Sequence, residues 1–182
     1  MSHSTFYLGE ICGLLGRLWL REVDVATLEA MNGPDFRGLY ESLGGFVPTD
    51  IAADWEELVE ELAIEYCELL IGPKGHVSPV QSVWAKDQLQ SETSASMNRF
   101  FELVPGYQAQ SSLADHVGVQ LDFAGVLLQI EDEAVDGIIS VFAQQHLDWM
   151  NKFLEHVESK TDSEFYLGLA RVTRSLIGSI TD

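Results

Sequence analysis

The chain has 182 residues, 46% of them apolar, and 29 Asp+Glu against 10 Lys+Arg give a net charge of -19. That length and apolar content can bury the core of one domain or of two small lobes and exclude a disordered chain. The charge excludes a nucleic-acid binder, whose phosphates it would repel, and favours basic partners, although acidity also serves plain solubility.

In chain order, Leu8, Ile11, Leu15, Leu18 and Trp19 recur at helical spacing and predict a helix over residues 5–21. Short helices are expected over 24–31 and 35–43, stopped by Asn32-Gly33-Pro34 and by Gly44-Gly45. The clearest pattern is at 54–70, where Trp55, Leu58, Val59, Leu62, Tyr66 and Leu69 form one stripe. Glutamates from Glu56 to Glu68 fill the other face, and Asp54 is the expected N-cap. Gly72-Pro73 ends this helix, and residues 72–91 read as an irregular loop that holds Trp84. A helix over 92–103 follows, then Pro105-Gly106, which opens a segment, 105–112, expected to act as a hinge. A largely apolar, central helix is expected over 113–130, with Val117, Leu121, Ala124 and Leu128 on one face. One long helix is expected from the acidic cluster at 131–136 to residue 157, and a last one over 162–180. No strand pattern is present. The expected fold is therefore an all-α helical bundle of two lobes, 1–104 and 113–182, joined by the 105–112 hinge.

The N-terminal residues carry no Lys or Arg ahead of an apolar run, so no export signal is expected. Arg17, Gln120 and Asp122 interrupt the most apolar segments, which fall short of the roughly 18 apolar residues of a membrane span. Cys12 and Cys67 lie in apolar patterns and read as buried free thiols of a reducing cytoplasm. None of the common nucleophile, zinc, dinucleotide or phosphate-loop motifs occurs, and no two of the five histidines lie three or four apart. An enzyme is not expected, nor is a metal or a cofactor.

Three segments carry more information. The first is Glu65-Tyr66-Cys67-Glu68-Leu69-Leu70-Ile71-Gly72-Pro73 leading into Pro79-Val80-Gln81-Ser82-Val83-Trp84. The second runs from Ala114-Asp115-His116 to Asp122-Phe123, and the third is His146-Leu147-Asp148-Trp149 with its sequel to Phe153. In this order and spacing they resemble the TorD/DmsD family of cytoplasmic chaperones for molybdenum-cofactor enzymes. Leu70 stands where that family commonly has an aromatic, and Gln81 where it commonly has Glu, which removes an ion pair from that position.

The resemblance implies an all-α, cytoplasmic chaperone. Its partner would be an apo-molybdopterin oxidoreductase catalytic subunit or that subunit's twin-arginine leader peptide. The chaperone would shield its client until the cofactor is inserted and delay export until then. No nucleic acid and no stable membrane insertion are expected, and a homodimer formed by exchange of a lobe is open. The peptide-contact residues expected are Pro79, Ser82, Trp84, Asp115, His116, Asp122 and Phe123. Asp115 reads equally as a helix cap, and His116 as a packed or capping residue. Trp84 reads as part loop anchor and part peptide contact, while His146 reads as a satisfied, semi-buried histidine and Trp149 as core. Two other readings stay open: a chaperone for a leaderless cytoplasmic metalloenzyme, or a nucleotide hydrolase.

Overall fold

A computed structural model describes residues 3–48, 55–85 and 91–181. Among these there are ten α-helices: α1 (His3–Leu20), α2 (Val25–Met31), α3 (Pro34–Ser42), α4 (Trp55–Tyr66), α5 (Gln81–Trp84), α6 (Ser91–Phe101), α7 (Val117–Gln129), α8 (Glu133–His146), α9 (Met150–Glu158) and α10 (Glu164–Thr181). The described residues form no strand, only an isolated antiparallel bridge between Val80 and His116. The all-α class expected from the sequence is what the chain adopts. Asp54, the expected cap of α4, lies outside the described residues.

The chain divides into two compact units, each made of separate stretches. One comprises Met1–Leu20, Pro79–Asn151 and Leu176–Asp182, so residues 105–112 fall inside it. Its core is α7, on which Val117, Val119, Leu121, Phe123 and Ala124 are fully enclosed. Helix α1 lies antiparallel on α7 at two glycine pairs. A methyl at Gly118 would sit 2.4 Å from the Gly16 carbonyl oxygen, and one at Gly125 would sit 2.7 Å from that of Gly9. Only residues without a Cβ let the two backbones approach this closely.

Three elements differ from expectation, the first being the stretch 72–91, which reads as irregular but holds the short helix α5. Helix α7 starts at Val117 rather than 113, because Asp115 and His116 are engaged in the bridge and the cap described below. The single helix expected over 131–157 is two helices, α8 and α9. The amides of Leu147 and Asp148 both donate to the Ala143 carbonyl, tightening the end of α8. The Trp149 indole N–H then donates to the His146 carbonyl at 2.9 Å, which closes that end with a side chain.

The other unit comprises Arg21–Ser78 and Lys152–Ser175. Asp24 caps α2, its carboxylate accepting from the Thr27 amide at 2.8 Å. Helix α4 continues into a π-helical turn, Cys67–Ile71, where the Gly72 amide reaches back five residues to the Cys67 carbonyl at 2.7 Å. The turn buries Leu69 and Leu70 together and leaves Ile71 exposed. The Val77 amide donates to the Leu69 carbonyl, and the buried Tyr166 hydroxyl donates to that of Leu62. Of the two free thiols, Cys12 is buried as expected, and burial pushes its pKa up to about 12. Cys67 is only half-buried, because its thiol donates to Glu22 Oε1 at 3.4 Å at the edge of the unit. No helix of the described residues is long and apolar enough to cross a membrane.

Candidate functional site

The loop that carries Pro79 to Trp84 is clipped to the segment before α7 by two backbone hydrogen bonds. The Gln81 amide donates to the Asp115 carbonyl at 3.0 Å, and the Val117 amide donates to the Pro79 carbonyl at 2.8 Å. Asp115, only 2% exposed, adds its side chain to the clip. One carboxylate oxygen accepts from the Ser82 amide at 3.0 Å, at the start of α5, and the other accepts from the Ser94 hydroxyl of α6 at 3.2 Å. His116 turns its Nδ1 onto the Gly118 amide at 3.1 Å and so caps α7. An accepting Nδ1 carries no proton, which places the proton on Nε2. Burial holds the His116 pKa down at about 4, outweighing the pull of the neighbouring Asp115 carboxylate.

Beneath the clip lies a buried network of neutral groups. Gln81 Nε2 donates to the Gln145 carbonyl at 2.7 Å, which fixes its Oε1 as the acceptor end. That oxygen accepts from Gln120 Nε2 at 2.6 Å and pairs with His146 Nδ1 at 2.9 Å. His146 therefore carries its proton on Nδ1, and its Nε2 accepts from the Ser96 hydroxyl at 3.0 Å. Burial lowers the His146 pKa to about 4; the nearby Asp115 opposes this in part, and Arg99 adds to it slightly. Gln120 Oε1 accepts the Trp149 indole N–H at 2.9 Å, and Trp149 faces Trp84 with ring centroids 6.4 Å apart.

The three segments singled out in the sequence meet here in part. Pro79 to Trp84, Asp115 to Gln120 and His146 to Trp149 form one connected site; the 65–73 helix end belongs to the other unit. Within the site, Pro79, Ser82, Asp115 and His116 are brought together as its frame. Asp115 and His116 are buried, and Asp115's carboxylate is committed to internal donors. The Ser82 amide, not its hydroxyl, makes the contact to Asp115; the hydroxyl is buried with no partner among the described residues. Phe123 is fully enclosed in an aromatic cluster with Phe101, Tyr107 and Phe142 at centroid distances of 4.9 to 5.2 Å.

Trp84 is half-buried, its neighbour Val83 on α5 is 54% exposed, and Leu113, two residues before Asp115, is 46% exposed. Asp122 is set apart from the clip. It accepts from the Tyr107 hydroxyl at 2.9 Å and from Gln110 at 3.3 Å, at the wall of a groove of about 420 Å³ between α1 and α7. That carboxylate and burial together push the Tyr107 phenol far above its ordinary range, burial being the larger cause. Groups of His, Cys, Asp and Glu that could hold a metal are absent among the described residues.

Sequence reading noted Gln120 only as a break in an apolar segment and did not pick out Ser94 or Ser96. For Gln120 a signal existed: it is a lone amide inside an apolar helix, and a buried amide has to find partners.

Comparison with known proteins decides the family. A family model described as nitrate reductase delta subunit matches residues 31–158, a span that contains the whole clip and the neutral network. The chain belongs to this family of TorD-like proteins. It is 26% identical to the chaperone protein YcdY of Escherichia coli (strain K12), covering 94% of this chain and 92% of that protein. It is 28% identical to the chaperone protein TorD of Shewanella pealeana, covering 91% and 84% of the two chains. The corresponding figures for the chaperone protein TorD of Shewanella loihica are 24%, 88% and 85%. No solved structure gives a significant match. In this TorD-like chain, the 79–84 and 114–123 parts of the sequence resemblance build the clip, and the 146–149 part joins the network beneath it.

Proposed function

We propose that this TorD-like protein is a maturation chaperone. It binds the twin-arginine leader, or the apo form, of a molybdopterin oxidoreductase catalytic subunit, and it delays export until the cofactor is in place. The observation that carries this reading is that exposed Val83 beside Trp84 on α5, and exposed Leu113 two residues before Asp115, are held on a buried, hydrogen-bonded frame. A leader has an apolar stretch that such side chains can bind, and a rigid frame lowers the ordering cost of binding. Asp115 and His116 serve binding as frame, by holding the loop, rather than as groups that reach the peptide. The guanidiniums of the leader fall to carboxylates at the surface: the half-exposed Asp122 lines the α1–α7 groove together with Glu10, although Arg17 also lines it.

Calorimetric titration with a twin-arginine leader tests this. Binding that weakens with Val83→Asp or Leu113→Asp supports the reading. Failure to bind any such leader, with retained binding to a leaderless apoenzyme, would move the client to the body of a cytoplasmic enzyme.

A further inference from the structure

Gln120 is wholly enclosed in α7 and uses both ends of its amide, Nε2 on Gln81 and Oε1 on the Trp149 indole. Gln81 opens α5, and Trp84 closes the same four-residue helix. One side chain therefore reaches both halves of the indole pair: Trp149 directly, and Trp84 through Gln81. An amide in an apolar helix costs desolvation unless both ends are paired, and a site that only needed filling would be served by Leu or Met. The spacing is specific too. Gln120 lies one helical turn after His116, so the residue that caps α7 and the residue that grips the indole share one face of one helix.

We propose that Gln120 is a positioning residue for client binding: by holding Trp149 against Trp84 and anchoring Gln81, it sets the surface that Trp84 and Val83 offer to the client peptide. This rests on the reading of that surface as the place of client contact.

Gln120→Met keeps an unbranched side chain of similar length and removes both hydrogen bonds. The free protein gives the first readout. The near-ultraviolet circular dichroism difference between the native chain and Trp84→Phe reports the coupled indole pair, and it collapses when measured in the Gln120→Met background. The second readout is affinity for a twin-arginine leader, which falls on the order of tenfold in Gln120→Met. In a Trp84→Ala background the same change costs nothing further, since Gln120 acts through Trp84. Losses that add, or a lowered Tm with an unmoved indole signal, would make Gln120 a core residue and overturn the inference. If Gln120→Met does not fold, Trp149→Phe removes the N–H that Gln120 accepts. It must then weaken leader binding in the native chain and not in Trp84→Ala. The two failures are distinct: no leader binding by the native protein sinks the reading of the surface, whereas an unmoved indole signal sinks the role of Gln120.

Discussion

His116 and His146 are the residues whose chemistry is most constrained. Both are neutral in the fold, one capping α7 and the other joined to Gln81 and Ser96, and both have pKa values lowered from 6.5 to about 4 by burial. Between those values the unfolded chain binds protons that the folded chain refuses. Stability is therefore full above pH 6.5 and is lost as pH falls toward 4, on the order of 3 kcal/mol per histidine. Urea unfolding at pH 7 and pH 5 checks this, and equal midpoints would contradict it. Gln81→Glu sharpens the test. A carboxylate at Gln81 faces His146 Nδ1 and draws the His146 pKa upward, visible in the imidazole NMR titration, while its other oxygen meets the Gln145 carbonyl and lowers stability at pH 7. Asp115→Ala leaves the buried Ser82 amide without an acceptor and costs about 1–3 kcal/mol. Pattern reading could place Asp115 at a helix start but left its two readings level. What pattern reading could not supply is the Ser82 amide bonded to its carboxylate, 33 residues distant in sequence.

At the scale of elements, the apolar periodicity of α1, α4, α6 and α10 was legible from local residues, and α7 was legible as a central, largely apolar helix, although its start is set by the distant Val80 bridge. The break between α8 and α9 was not. No Gly or Pro marks it, and its cause is the shared Ala143 carbonyl together with an indole closing the turn. Nor was the pairing of α1 with α7. Gly9 and Gly16, and Gly118 and Gly125, are seven residues apart on each helix, but a glycine in a helix reads by itself only as a weak helix former. The close approach gives a contrast. Gly118→Ala forces its methyl against the Gly16 carbonyl and destabilises by about 1–3 kcal/mol. Gly13→Ala meets open space and gains up to about 1 kcal/mol of helix propensity. Thermal melts of the two variants should move in opposite directions, and a parallel fall would show that α1 and α7 do not meet as described.

For the whole molecule, the charge of -19 acts on two quantities in opposite senses. Carboxylates such as Glu56, Glu57, Glu60 and Glu61 are solvent-exposed on α4, so their mutual repulsion weakens as salt is added and the free protein gains stability. Association with a basic client should slow over the same range, because screening removes the steering field. Stopped-flow rates that stay flat with ionic strength would reduce the charge to a solubility device. The central claim is that Val83 and Leu113, exposed next to Trp84 and close to Asp115 on the buried clip, bind the client's leader. Calorimetric titration of one twin-arginine leader into the native chain and into Val83→Asp/Leu113→Asp tests it most directly. Saturable binding by the native chain, lost in a variant of unchanged helicity, is the result predicted; equal binding by both, or none by either, would contradict it.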